Sequence, residues 1–350
     1  MCALHQDNTF TIEIYYHRDC PDGHVAAFTL WLNLQDNGAY ATNYHPIQYG
    51  YRPPDVTGKI VYILDISFPA HIIETMIEQS EALLIIDHHE TAIEQLKSIP
   101  EKNKIFDITE CGSTLTWKYL YHDKPLPLLY RYIKSRDLWS YDMENTTAFT
   151  LAFNLAIKDN DKYSFELTKK YLDDSEVLGL INVGKILEPY HNDLVESSLS
   201  KVCFCPLKYN DKVLIVAYVN TVVSLASDVG NRCMRKYPFV DFCACFYIDI
   251  GHEITRFQLR SRDGCQNVSV IAKEHGGGGH RNAAGCSVKG LTSKLNYTHM
   301  NSWPLWCIYS DRKFKVKSEH ISEILTEEYL QLLQRRFPGK TLNISLDLAE

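Results

Sequence analysis

Three short apolar runs, each ending on acidic or imidazole side chains, restrict this chain more than any other feature. Ile12-Glu13-Ile14-Tyr15-Tyr16 leads into His17-Arg18-Asp19-Cys20-Pro21-Asp22-Gly23. Lys59 to Leu64 leads into Asp65-Ile66-Ser67, and Ala82 to Ile86 leads into Asp87-His88-His89. Runs this short, rich in β-branched residues and bounded by turn signals, read as buried strands. In an open parallel sheet, groups just past the strands' carboxyl ends meet in one crevice although they lie far apart in sequence. The expected result is a cluster of carboxylates and imidazoles, whose mutual repulsion cations or shared protons would offset. Taken singly, each site also has a plain structural reading. Asp22-Gly23 suits a turn, Asp65-Ile66-Ser67 suits the cap of a helix beginning near Pro69, and the histidine pair suits polar surface.

Between these runs lie segments with helical apolar spacing, Val25 to Leu32 and Ile72 to Glu78, followed by Ser113 to Leu120 and Pro127 to Ser135. Strand and helix in alternation predict a parallel sheet covered by helices. Residues 146–200 read as mostly helical, in segments Thr146 to Ile157, Tyr163 to Asp173 and Ser175 to Leu199 with flexible ground around Lys158 to Asp161, and without a strand pattern. Strand patterns return at Val213 to Tyr218, Phe242 to Ile248 and Ile254 to Arg262, with a helix over Val222 to Met234 and a short one over Val268 to Glu274. The expectation is an α/β protein of two lobes: a parallel-sheet domain over 1–145, a helical linker over 146–200, and a smaller mixed-sheet domain over 201–290. The extension 291–350 holds Trp303, Trp306 and an apolar helical pattern from Ile321 to Leu333, without a motif of known chemistry.

A chain of 350 residues suits two domains, each burying its own core. No apolar stretch approaches the ~20 residues that cross a bilayer, and the first residues lack a basic-then-apolar signal pattern. A cytoplasmic protein with no membrane partner is therefore expected. The eleven cysteines include Cys203 and Cys205, and Cys243 and Cys245, which alternate along apparent strands. Period-two spacing is not that of structural zinc ligands, and an odd total argues against a disulfide framework, so most are expected to be reduced core residues. Residues 1–150 carry a net charge of −9 and residues 201–290 one of +5. An acidic segment suited to cations thus precedes a basic one suited to an anion, although unevenly solvated charge would give the same counts.

The second strong signal is His275-Gly276-Gly277-Gly278-Gly279-His280-Arg281-Asn282-Ala283-Ala284-Gly285. Consecutive glycines allow positive φ angles and close backbone approach, exposing amides that suit phosphate oxygens. A glycine run also suits a flexible linker, but the small residues and the strand-like Cys286-Ser287-Val288 that follow favour a packed turn. Arg260 and Arg262, one strand repeat apart, share a face and can grip phosphate through paired donors.

These motifs, together with Arg136-Asp137 and in this order over about residues 10–290, resemble the DHH phosphoesterases that carry a DHHA1 domain, within the RecJ-related superfamily. The resemblance implies a metal-dependent phosphoesterase with two Mn²⁺ ions, Mg²⁺ or Co²⁺ being substitutes. Carried over by position, His17, Asp19 and Asp65 would hold one ion, and Asp22, Asp65, His88 and Asp137 the other, with Asp65 between them. The Cys20-Pro21 insertion between Asp19 and Asp22 departs from the spacing of many relatives and leaves Asp19 between a ligand and a supporting role. His89 would contact phosphate or help protonate the leaving oxygen, or else hydrogen-bond to Asp87, its catalytic neighbour. Arg260, Gly277, Gly278, Gly279, His280 and Arg281 would bind substrate, expected to be a short oligonucleotide or a small nucleotide phosphate. Polyphosphate or pyrophosphate hydrolysis, and non-catalytic nucleotide or RNA binding, are the alternatives; a homodimer is compatible with the sequence.

Overall fold

The computed structural model describes residues 11–37, 41–53, 55–157, 162–290, 292, 294–295, 314–317, 327–339 and 344–347. The chain forms two compact units that meet at His191 and Asn192.

In the first unit, five parallel strands take the order β2-β1-β3-β4-β5. They are β1 (Ile12–His17), β2 (Thr42–Ile47), β3 (Ile60–Leu64), β4 (Ala82–Asp87) and β5 (Lys104–Phe106). Strand alternation sorts their side chains between two layers. Ile12, Ile14, Tyr16, Leu64 and Ile86 face one core, while Tyr15, Val61, Ile63, Leu83 and Ile85 face the other. Burial on both faces is why these strands read as continuous apolar runs.

Helix α1 (Pro21–Asn37) joins β1 to β2 and contributes Val25, Phe28 and Trp31 to the first core, whereas α2 (Ala70–Gln79) joins β3 to β4 and contributes Ile73 and Met76 to the second. The chain is thus wound on both faces. The winding direction reverses between β1 and β3, and the crevice past the strand ends at such a reversal is where open α/β sheets place their sites. The short α3 (Glu90–Gln95) follows β4, and α4 (Gly112–Leu120) and α5 (Leu128–Asp137) join the α1 layer.

The structure divides the helical stretch expected as a linker. From α6 (Thr146–Ala156), Phe149 and Phe153 enter the same core as α1. So do Phe165 of α7 (Lys162–Lys170) and Val177 and Ile181 of α8 (Asp174–Leu199). Only the last turns of α8, through Val195 and Leu199, pack in the second unit. The helical reading of this stretch matches its periodicity, but its apolar faces make it core rather than spacer.

The second unit is a mixed six-stranded sheet in the order β10-β11-β9-β8-β7-β6. Its strands are β6 (Cys203–Tyr209), β7 (Lys212–Asn220), β8 (Phe242–Asp249), β9 (Ile254–Arg260), β10 (Gly278–His280) and β11 (Ala283–Lys289). Only β7 and β8 pair in parallel. Helix α9 (Ala226–Lys236) covers one face and α10 (Val268–Glu274) the other. Cys205, Cys233, Cys243, Cys245 and Cys286 are buried here, while Cys203 is exposed.

Within 291–350, Phe314–Lys317 (β12) pairs in parallel with Ile344–Asp347 (β13), and α11 (Glu327–Arg336) places Leu332 and Leu333 in the core beside α9. Trp303, Trp306 and Ile321 lie outside the described residues. Among the described residues, no helix is long and apolar enough to cross a membrane.

Candidate metal centre

The three strand ends do converge. His17 closes β1, Asp65 follows β3, Asp87 ends β4 and His88 follows it, all at the ends of neighbouring strands at the winding reversal. Asp22 reaches the same place from the first turn of α1, where Pro21 opens the helix with its fixed φ. Asp137 reaches it from the last residue of α5.

Asp22-Gly23 is therefore not a turn. A Cβ on Gly23 would stand 2.5 Å from the His17 carbonyl oxygen, so the glycine lets α1 settle against the end of β1. Nor does Asp65-Ile66-Ser67 cap a helix. Helix α2 starts after Pro69, and the Ser67 hydroxyl instead donates to Asp87 Oδ2 at 2.7 Å.

His88 stands at the centre of the arrangement. Its Nε2 lies 3.2 Å from Asp65 Oδ1, 3.3 Å from Asp137 Oδ2 and 3.9 Å from Asp22 Oδ2. Asp22, Asp65 and His88 are each at least 98% buried. Asp65 faces two ways, since its Oδ2 lies 3.4 Å from His17 Nδ1. Both of those atoms are buried and make no hydrogen bond. Asp65 also sits in the left-handed region with φ +57°, a conformation that non-glycine residues rarely adopt and that concentrates at functional sites.

The amino end of α4 supplies the counterpart to Asp22. The Gly112 amide donates to Asp22 Oδ2 at 2.5 Å and the Ser113 amide to Oδ1 at 2.9 Å. A carboxylate at a helix amino terminus is favourably placed in the helix field. Gly112 is required by space, because a Cβ there would lie 2.8 Å from Asp65 Cβ and 3.0 Å from Asp22 Oδ2.

Burial, and then the charges of Asp65 and Asp137, push the pKa of Asp22 up to about 8 in spite of its two amide donors. Burial also raises Asp137. Burial alone would lower His88, but Asp137, Asp65 and Asp22 drive it up to about 11. Burial likewise opposes ionisation of Asp65, yet the nearby His17 and His88 imidazoles hold it well below the ordinary carboxylate range. The buried carboxyls of Asp22 and Asp65 and the partly buried one of Asp137 thus surround the His88 imidazole. Ligand atoms of Asp22, His88 and Asp137 lie within 4.8 Å of one another, as do those of His17, Cys20 and Asp65. Mixed oxygen and imidazole donors of this kind suit Mn²⁺ and related divalent ions.

Asp87 lies beside these groups, with ligand atoms of Asp65, Asp87, His88 and His89 within 4.8 Å of one another. It is fully buried and accepts from Ser67, from the amides of His88 and His89, and from His89 Nδ1 at 2.7 Å. Those bonds set the start of α3 and aim the His89 ring, whose centroid lies 6.2 Å from that of His17. Burial would lower His89, but the Asp87 carboxylate raises it above its ordinary value.

Asp19 is not brought into the cluster. It has φ +59°, its side chain is 71% exposed, and its nearest charged partner is Arg18 at 3.4 Å. Cys20, unremarked in the sequence except as an insertion, takes the nearer place beside His17 and Asp65. Burial raises its thiol well above the ordinary range, and a thiol ligates less well than a thiolate. The contribution of α4 had no sequence signal, because its contacts to Asp22 join residues 90 and 91 positions apart.

In the second unit, β9 ends at Arg260, so Arg260 and Arg262 do not share a strand face. Arg260 is 9% exposed and donates to Leu259 O and Ser227 Oγ, and Gly230 gives its stem room. Arg262 donates to the carbonyl of Met234 in the last turn of α9 and to that of Pro238 just beyond it. Gly276 closes α10 with φ +71°, and Gly277 and Gly279 approach the backbone of β11 so closely that a Cβ would meet carbonyl oxygens at 2.0 and 2.5 Å. The run is therefore a packed strand and not a linker. It forms the sheet edge, with His280 at its end and Arg281, bonded to Cys265 O, just beyond.

No family model matches the chain. It is 29% identical over 350 residues to the uncharacterized protein R106 of Acanthamoeba polyphaga mimivirus, covering 93% of this chain and 82% of that protein. Solved structures similar to it include RecJ from Thermus thermophilus in complex with Mn²⁺, at 13% identity and a TM-score of 0.46, over 97% of this chain and 54% of that one. They also include the pGpG-specific phosphodiesterase PggH of Vibrio cholerae, at 15% identity and a TM-score of 0.41, over 80% of this chain and 93% of that one.

Proposed function

We propose that this chain is a phosphoesterase that uses a pair of divalent cations, Mn²⁺ foremost, to hydrolyse short oligonucleotides or small nucleotide phosphates. The observation that carries the reading is the two-faced Asp65, with one carboxylate oxygen toward His88 and the other toward His17. A shared carboxylate between two imidazoles is a donor arrangement that suits two neighbouring cations. Asp65 with His17 would hold one ion, and Asp65 with Asp22, His88 and Asp137 the other. Bound there, the ions supply Lewis-acid activation of a water and of the phosphoryl group, and they neutralise developing charge.

The chain's own residues do the rest. Asp87 fixes His89, which would donate to a phosphate oxygen or to the leaving oxygen. The α4 amino terminus holds Asp22 in place for the ion. In the second unit the glycine strand is the outer strand of the sheet among the described residues, and Gly277, Gly278, Gly279, His280 and Arg281 would hold phosphate there. The internal bonds of Arg260 leave it a supporting role behind that edge. No disulfide links the described cysteines, which suits a reducing compartment, so the proposal includes action in the cytoplasm.

The test is hydrolysis by metal-stripped protein returned to Mn²⁺, on dinucleotides, longer oligonucleotides, phosphoadenosine phosphates, pyrophosphate and polyphosphate. The expected result is Mn²⁺-dependent release of mononucleotide or phosphate from the nucleotide substrates, lost by at least a hundredfold in His88→Ala. Turnover of none of them, with or without metal, overturns the reading in favour of a binding protein.

A further inference from the structure

One exposed aromatic ring beside the candidate centre has no role in holding ions or packing the core. Tyr49 sits in the turn Gln48–Tyr51 that follows β2. The Tyr51 amide donates to Gln48 O at 3.1 Å, and Gly50 has φ +87°, as the third position of a type II turn demands. The turn is tied to the segment after His17. Gln48 Nε2 donates to Arg18 O at 2.7 Å, and the Arg18 amide donates to Ile47 O at 2.9 Å.

The result is a fixed mount for a ring that is 60% exposed. Its centroid lies 5.9 Å from that of His17 and 6.5 Å from that of His89, and it stands at 66° and 84° to those imidazoles. Tyr15 and Tyr16, on the neighbouring strand, are by contrast buried. An aromatic face presented to solvent beside one imidazole that would hold an ion and another that would donate to a phosphate oxygen has the form of a stacking platform. Stacking tolerates any base because every base has a π-face.

Resting on the phosphoesterase reading, we propose that Tyr49 stacks on the nucleobase next to the scissile phosphate. The substrates are then base-bearing phosphoesters, and pyrophosphate and polyphosphate are excluded as the preferred ones. A tyrosine hydroxyl is not needed for this role; the ring is.

The experiment compares kcat and KM of the full-length, Mn²⁺-loaded protein on a dinucleotide and on the same diester with abasic sugars, for the unsubstituted chain, Tyr49→Ala, Tyr49→Phe and Tyr49→Trp. Circular dichroism checks that each variant folds. Tyr49→Ala is expected to lose about tenfold or more in kcat/KM on the dinucleotide, chiefly through KM, and little on the abasic diester. Tyr49→Phe and Tyr49→Trp are expected to retain the dinucleotide preference. Equal losses on both diesters in Tyr49→Ala overturn the proposal, as does a loss in Tyr49→Phe matching that in Tyr49→Ala. If the unsubstituted protein cleaves pyrophosphate or polyphosphate but neither diester, the stacking inference falls while metal-dependent phosphohydrolysis stands. If it cleaves nothing, both fall.

Discussion

At the scale of single residues, the candidate centre depends on two glycines as much as on its ligands. Gly23 lets Asp22 approach from α1, and Gly112 lets α4 bring two amides to Asp22 while leaving room for Asp65. Neither role was legible in the sequence, where Gly23 read as a turn and Gly112 carried no signal. The ligand types at the strand ends were legible, because apolar runs ending on Asp or His have few other uses in series. Asp137 was reached only through the family resemblance, since it ends a helix whose pattern says nothing of that end. Placing a methyl group at Gly112 is therefore expected to disturb chemistry and packing together. Gly112→Ala should lower Mn²⁺-dependent turnover at least tenfold and cost about 1–3 kcal/mol, typical of overpacking. Steady-state kinetics and urea unfolding check this, and unchanged values for both would show that α4 does not hold Asp22.

At the scale of elements, β1, β3 and β4 were readable from their doubly buried runs, while β2 and β5 were not. Strand β2 reads Thr-Asn-Tyr-His-Pro-Ile, polar and interrupted by Pro46, as an edge strand tolerates. Strand β5 spans only Lys104 to Phe106, too short for any pattern. What ties β2 in place is Glu13 of β1, which accepts from Asn43 at 3.2 Å, pairs with His45, and pairs with Lys59 at 2.9 Å just before β3. Burial alone would raise the Glu13 carboxyl, but the bonds from Lys59, His45 and Asn43 hold it below its ordinary 4.5. A depressed carboxyl stabilises the fold fully above its unfolded value, and that contribution is lost as pH falls through the depressed one. Glu13→Gln is thus expected to cost about 1–3 kcal/mol at pH 7 and to flatten the loss of stability between roughly pH 5 and 3. Urea midpoints across that range give the answer; a variant that tracks the unsubstituted protein at every pH would rule out this clamp.

At the scale of the whole molecule, the pattern of elements revealed an α/β chain with two sheets, but not where one unit ends. The helices over 146–200 have apolar faces that match a helix anywhere, and periodicity cannot say which core a face joins. Phe149, Phe153 and Phe165 join that of α1, and the units meet within α8 at His191 and Asn192. Likewise the glycine run pointed to close backbone approach, while its partner, β11, became visible only in the folded sheet. The strand ends of the first unit form the proposed cation site, shared through Asp65. Anomalous diffraction at the manganese edge, from crystals of the full chain grown with Mn²⁺, tests this most directly. Two peaks bound to Asp65 are expected, one also on His17 and the other also on Asp22, His88 and Asp137. Crystals of active protein with no anomalous density at Asp65, or with manganese held only elsewhere, would contradict it.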